Sequence, residues 1–252
     1  MRQRNAITAL TNSLRTDDDV QAIFLKGSFG RGEGDEHSDV DLYVMVAKEQ
    51  LEAFQSRRRA HLAAYRPILL EDEIYIVAPQ LIVIYDDMLH VDLFTVTAET
   101  LNHQDELTVL FDPDRRLQHH PSSLTLSNED LSGHVFDAIW FFFQYTKARD
   151  RGNDIWAVDM LRQGMTHFAY ALAAHHEPER AALGLKDVAT RARINLRPFY
   201  EMLTPSHHAR AARWYVERLE AERPFFETTE AFGTIQPFFE QLIAREKSRS
   251  SH

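Results

Sequence analysis

The sequence predicts an α+β domain followed by an all-α domain, and three observations carry that prediction. Short helical patterns alternate with short β-rich apolar runs through the first 115 residues. Beyond residue 128 almost every apolar pattern has helical spacing. Between the two lies a polar stretch, Leu117 to Asn128, containing His119-His120-Pro121-Ser122-Ser123. The expected boundaries are therefore residues 1–115 for the first domain, 116–128 for a linker and 129–252 for the second.

Taken in order, Ala6 to Leu14 places Ile7, Leu10 and Leu14 at helical spacing. Val20 to Lys26 and Val40 to Val46 are strand-like. Lys48 to about Tyr65 is a charged helical stretch closed by Pro67. Leu81 to Tyr85 and His90 to Val96 form a hairpin across Asp86-Asp87-Met88, and Leu107 to Phe111 adds a strand before Asp112-Pro113-Asp114. In the second half, helices are expected over Asp130 to Arg149, Asp154 to His175, Pro205 to Glu222 and Phe232 to Lys247. The second of these carries Ile155, Val158, Leu161, Met165, Phe168 and Leu172 on one stripe. Ser248 to His252 reads as a frayed tail. There is no internal repeat.

The chain of 252 residues, 44% hydrophobic and 26% charged, has the composition of a soluble globular protein. No apolar run approaches the roughly 20 residues that span a bilayer. Met1 to Asn5 leads into no apolar signal core, so the expected location is the cytoplasm. With no cysteine, disulfides and thiolate metal sites are excluded. The net charge of −10 is uneven: residues 1–120 hold 21 acids against 12 Lys and Arg, a balance of −9. That disfavours a nucleic-acid backbone as the main partner and suits a site that gathers metal ions or a cationic substrate.

The chemistry-bearing stretch is Lys26-Gly27-Ser28-Phe29-Gly30-Arg31-Gly32, followed by Asp39-Val40-Asp41-Leu42. Strand alternation puts Asp39 and Asp41 on one face and Val40 and Leu42 on the other. Two adjacent carboxylates repel unless a cation joins them, and Mg²⁺ is bound by one or two carboxylates plus substrate phosphates. Gly27 lets the backbone approach a ligand, Ser28 offers a hydroxyl, and Arg31 offers a charge-assisted phosphate contact. A two-metal arrangement needs a third acid. Asp92, in the apolar run His90-Val91-Asp92-Leu93-Phe94, is the candidate, because an unpaired carboxylate there would be costly. Asp35 and Glu36 read as solvated loop acids, Arg57-Arg58-Arg59 as a solvated face, and Trp140 to Phe143 mainly as core. His119-His120, His175-His176 and His207-His208 read as poor chelates, since adjacent helical residues point about 100° apart.

Gly27-Ser28, ten intervening residues, Asp39-Val40-Asp41 and a later strand acid Asp92 resemble the DNA polymerase beta-type nucleotidyltransferase superfamily. The helical second half is most similar to the aminoglycoside and lincosamide antibiotic nucleotidyltransferases. The resemblance implies a mixed sheet flanked by helices, with Asp39, Asp41 and Asp92 as catalytic metal ligands for two Mg²⁺ ions. It also implies triphosphate contacts from Gly27, Ser28 and Arg31. Lys147, on the helix ending Tyr145 to Gly152, corresponds to a lysine that reaches the triphosphate in that group. Trp140 shares a helix face with Lys147, and Asp137 lies one turn before it, so both are candidates to hold a cationic acceptor.

The expected reaction is transfer of a nucleoside monophosphate, AMP in the first instance, from ATP or another triphosphate to a hydroxyl of a small molecule such as an aminoglycoside or lincosamide. Asp92 and a carboxylate of the helical domain are both candidates for the base. The alternatives are a protein- or nucleic-acid-modifying transferase and a non-catalytic nucleotide sensor. A monomer or homodimer, with no membrane partner, completes the expectation.

Overall fold

A computed structural model describes residues 2–76, 78–102, 104–190 and 194–250. The chain divides into two compact units, Met1–Ser123 and Leu124–His252.

The first unit runs α1 (Arg2–Leu14), β1 (Val20–Leu25), α2 (Gly27–Gly30), β2 (Val40–Val46), α3 (Leu51–Leu62), β3 (Ile68–Tyr75), β4 (Pro79–Tyr85), β5 (His90–Val96) and β6 (Thr108–Phe111). The strands form one mixed sheet in the order β3-β4-β5-β2-β1-β6. β2 and β5 are parallel, with Asp41 opposite Asp92 and Tyr43 opposite Phe94, whereas the β1–β2, β1–β6, β3–β4 and β4–β5 pairs are antiparallel. Alternation then sorts the side chains into two layers. Val40, Leu42, Val44 and Val46 join Val91 and Leu93 in a core with Ala6, Leu10 and Leu14 of α1 and Phe54 and Leu62 of α3. The other face carries Phe24, Tyr43 and Phe94, stacked at 5.2 and 4.4 Å between ring centres, and Leu117 packs with them. Each such fully buried apolar side chain contributes about 1.5–3 kcal/mol.

Two features depart from the sequence reading. β3 had no strand signal. It is an edge strand whose central residues Leu69 to Glu73 are all exposed, so charge on both faces hides the alternation. Within the triple arginine, Arg58 departs from the expected solvated face, while Arg59 stays exposed. Phe54, Arg58 and Leu62 form the inward stripe of α3, and Arg58 is 1% exposed. Its guanidinium pairs with Glu73 of β3, Arg59 pairs with Glu71 at 2.5 Å, and Arg57 grips Asp17. Arg58 and Arg59 of α3 and Glu73 and Glu71 of β3 are thus one complementary set, which neither segment shows alone.

The second unit is all helix: α4 (Asn128–Asp150), α5 (Asp154–His176), α6 (Leu185–Val188), α7 (Arg197–Met202), α8 (His208–Ala221), α9 (Arg223–Phe226) and α10 (Glu230–Ser250), with a 3-10 turn over Pro178–Leu183. Ser127 and Asn153 cap α4 and α5 by accepting from Asp130 N and Trp156 N. Leu161, Met165, Phe168 and Leu172 of α5 are buried as the stripe requires. Ile155 is not: it sits in the first turn, 73% exposed, and Ala157, Met160 and Gly164 fill the inner face instead. A β-carbon on Gly164 would stand 2.9 Å from the Tyr215 hydroxyl, which donates to Ala138 O at 3.0 Å. The four- to six-residue helices α6, α7 and α9 are too short to show periodicity. α10 continues through Ser250, and Ser251 and His252 of the expected tail lie outside the described residues. No described helix is long and apolar enough to cross a membrane.

The Asp17–Arg57 pair gives a pH-dependent prediction. Arg57 Nε and Nη2 donate to Asp17 at 2.6 and 2.8 Å, and this bonding holds the Asp17 carboxyl well below its ordinary value of 3.8. A carboxyl depressed in the folded state adds stability above the unfolded value and loses it as pH falls toward the folded one. Arg57→Met should lower stability at pH 7 by about 1 kcal/mol, allowing for the exposure of Arg57. Urea unfolding should show the gap between the two proteins closing as pH drops below about 4.

Candidate active site

The site begins where β1 ends. Gly27 takes φ +60, a conformation that disfavours any side chain. A β-carbon on it would stand 1.9 Å from Asp41 Oδ2. Glycine is therefore demanded twice, by the turn and by the carboxylate pressed against it. Lys26 N donates to Asp41 O at 3.1 Å, which ties the turn to β2. Ser28 follows in the short helical turn, and its Oγ is buried with no hydrogen-bond partner. An orphaned buried hydroxyl costs about 1–3 kcal/mol, so this one is poised for a ligand.

The acids are placed by the sheet. Asp39 precedes β2 and Asp41 lies within it, on the face of Tyr43 rather than Val44. Parallel register sets Asp92 of β5 directly beside Asp41. The loop that delivers Asp39 is shaped by Asp35, whose Oδ1 accepts from His37 N and Ser38 Oγ. Buried Gln3 donates to Glu36 O and Ser38 O at 2.9 and 3.1 Å, fastening the loop to α1.

His90 is the residue that sequence reasoning passed over. Its Nε2 lies 2.9 Å from Asp92 Oδ1, and its Nδ1 lies 4.0 Å from Asp39 Oδ2. An ionised carboxylate only accepts, so Nε2 carries the proton and donates. Gln80 Nε2 donates to the same Oδ1 at 2.9 Å. Both donors saturate one oxygen of a carboxylate that is 6% exposed, leaving Oδ2 without a protein partner among the described residues. Asp39, His90 and Asp92 offer ligand atoms all within 4.8 Å of one another. The signal was present in the alternation: His90 and Asp92 are two apart in a strand and share a face.

The cations beside the turn are engaged by the protein itself. Lys26, 3% exposed, donates through Nζ to Asn102 O, Asn102 Oδ1 and Gln104 O at 2.9, 2.7 and 2.8 Å. Burial pushes its ammonium down to about 8. Arg31 pairs with Glu33 at 2.9 Å and with Asp105 at 2.5 Å. Together they hold Asn102, Gln104 and Asp105 against the turn.

Residues 8–83 match the family model described as polymerase beta, nucleotidyltransferase. The matched residues lie within the first unit. Solved structures of similar fold include a nucleotidyltransferase-like protein from Exiguobacterium sibiricum, with 15% identity, 93% of this chain and 79% of that one covered, and a TM-score of 0.41. An aminoglycoside 6-adenyltransferase from Bacillus subtilis has 11% identity over 93% of this chain and 96% of that one, with a TM-score of 0.29. The Bradyrhizobium diazoefficiens CD-NTase CdnG, solved in complex with GTP, has 13% identity over 98% and 92%, with a TM-score of 0.30. No curated protein matches the sequence.

The first unit thus carries Gly27, Ser28, Asp39, Asp41 and Asp92, with His90 beside Asp39 and Asp92 and Arg31 held by its two acids. Asp137, Trp140 and Lys147 belong to α4 of the second unit. There Trp140 is 40% exposed and stacks on Phe136, Lys147 Nζ lies 5.4 Å from the Phe143 ring centre, and Asp137 lies 3.4 Å from His167 Nδ1. Phe142 behind them is fully buried, as core.

Gly27→Ala should destabilise the protein by about 1–3 kcal/mol, because it adds backbone strain and a contact with Asp41. Gly32 also has positive φ, +73, but a β-carbon there meets nothing within 4 Å. Gly32→Ala should therefore cost about 1 kcal/mol from strain alone. Equal losses in urea unfolding would show that the approach of Asp41 to the turn has no energetic weight.

Proposed function

We propose that this nucleotidyltransferase moves AMP from ATP to a hydroxyl of a small, cationic acceptor, such as an aminoglycoside or lincosamide, with Mg²⁺ and release of pyrophosphate. The observation that carries the reading is a buried, unpartnered Ser28 hydroxyl on the turn that meets Asp41, with Asp92 in register beside Asp41 and Asp39 grouped with Asp92. The same arrangement fits a hard divalent ion: the donors are mainly oxygen, and Asp92 Oδ2 is turned out by hydrogen bonds to its neighbour. Asp39, Asp41 and Asp92 would hold Mg²⁺, two ions in the two-metal form. When bound, it would neutralise charge developing on the phosphates and align them.

The protein's own groups do the rest. Ser28 donates to a phosphate oxygen, and the absent Gly27 side chain lets Asp41 press against the turn that carries Ser28. The acceptor oxygen forms a bond to the α-phosphorus as the bond from that phosphorus to the bridging oxygen breaks. The electron pair leaves on pyrophosphate, and the hydroxyl proton passes to the Asp92 carboxylate. His90 and Gln80 keep that carboxylate oriented. The acidic balance of residues 1–120 favours a cationic acceptor over a nucleic acid. Asp137 and Trp140 are the proposed acceptor contacts, and Lys147 is a proposed triphosphate contact. Work in the cytoplasm, where ATP and Mg²⁺ are abundant, completes the reading.

Labelled ATP offered to aminoglycosides, lincosamides and peptides tests acceptor and nucleotide together. Asp39→Asn and Asp41→Asn should each cut transfer by about a thousandfold or more, without loss of fold by circular dichroism. Near-normal turnover in both would sink the proposal. ATP and Mg²⁺ binding without pyrophosphate release, across the whole panel, would favour a sensor. His90→Ala removes one of two donors to Asp92 Oδ1. It should lower kcat by about 10–100-fold with the KM for ATP little changed. An unchanged kcat would remove His90 from the positioning role.

A further inference from the structure

We propose a second metal site, distant in sequence from the first, in which His175, His176 and Glu222 bind a divalent transition-metal ion such as Zn²⁺. His175 and His176 are the last two residues of α5, and Glu222 follows α8 directly. His175 Nδ1 lies 2.6 Å from Glu222 Oε2, and His176 Nε2 lies 3.1 Å from Oε1. The ligand atoms of all three lie within 4.8 Å of one another. Donor atoms around a tetrahedral ion at about 2.0–2.1 Å stand roughly 3.3 Å apart, so little movement is needed to admit one.

Neighbouring residues inside a helix diverge by about 100° and chelate poorly. This pair escapes that limit because it ends its helix: Glu177 has already left helical angles, at φ −145 and ψ 64. The two rings stand 4.3 Å apart, and the His175 ring is fixed by stacking on Phe225 at 4.5 Å and 8°.

The electrostatics call for a cation. Glu222 is 6% exposed, and α5 ends beside it with its carbonyl pole, while Glu222 itself is the junction at which α8 ends and α9 begins. Each helix C-terminus carries about half a negative charge. A buried carboxylate at such a point needs a positive partner. Among the described residues no lysine or arginine supplies one, because the adjacent Arg223 is spent on Glu227 and Glu240. Both imidazoles hydrogen-bond to Glu222, and an imidazole in its neutral form brings no charge. A divalent ion would satisfy the carboxylate and both imidazoles together. Two nitrogens and one oxygen suit Zn²⁺, Co²⁺, Ni²⁺ or Cu²⁺ rather than Mg²⁺, and the half-exposed histidines leave at least one coordination position to water. The bound ion would clasp the end of α5 to the α8–α9 junction.

The test is Zn²⁺ titration by calorimetry on the chelator-stripped full chain. An Asp39→Asn, Asp92→Asn background weakens the Mg²⁺ centre and removes its signal. The expected result is one equivalent of Zn²⁺, bound at least tenfold more weakly in His176→Gln and in Glu222→Gln. Co²⁺ should give visible absorption bands of a low-coordinate site that both variants lose. His176 has a half-exposed side chain, so H176Q decides the matter if E222Q fails to fold. No Zn²⁺ binding in the D39N/D92N background, or affinity unchanged by H176Q, would overturn the site.

Discussion

The parallel pairing of β2 with β5 is the constraint on which the catalytic unit turns. It fixes Asp41 beside Asp92 and, on the same face, Tyr43 beside Phe94. A slip of one residue would send Asp41 into the layer now filled by Leu42 and bring Leu42 to the site. The register is held by what it would expose. Val40, Leu42, Val44, Val91 and Leu93 are all fully buried beneath α1 and α3. Two like charges stand side by side because the apolar face behind them tolerates no other arrangement, and the tolerance is widened by Gln80 and His90 spreading the Asp92 charge.

The cations near the turn change how phosphate affinity must arise. A lysine and an arginine flanking Gly27-Ser28 look like phosphate ligands in the sequence. Instead Lys26 and Arg31 bind Asn102, Gln104 and Asp105, and so brace the turn from behind. Under the proposed function, attraction for a triphosphate would fall to the Ser28 hydroxyl, to the turn's backbone and to metal on the acids. Such a site would select metal-bound nucleotide over free anion, since the acids alone repel phosphate.

The catalytic strands were legible because their apolar runs alternate and their acids interrupt an otherwise buried pattern. Asp92 stood out for that reason, whereas His90 did not, because a polar residue at a strand's first position is ordinary. β3 and the α3 arginines were illegible separately: Glu73 and Arg58 make sense only as a pair 15 residues apart. The polar stretch before α4 hid Leu117 and Leu124, both buried, and Ser127, which is a helix cap. The short helices α6, α7 and α9 leave no period to read. Local pattern carries what backbone and burial dictate, and partners chosen across the fold escape it.

The two clusters of potential ligands show how ligand chemistry sorts metals within one chain. Asp39, Asp41 and Asp92 are oxygen donors at a sheet end, in reach of a turn that accepts phosphate, and Mg²⁺ keeps waters and phosphates in just such open oxygen settings. There His90 points its proton at Asp92, so it shapes a carboxylate instead of competing for the ion. At Glu222 the proportions are reversed, with two imidazoles to one carboxylate and the C-terminus of α5 adding to its charge. Imidazole affinity rises steeply from magnesium to zinc. On the two proposals together, an exchangeable ion would serve catalysis at the sheet and a retained one would hold the helix ends.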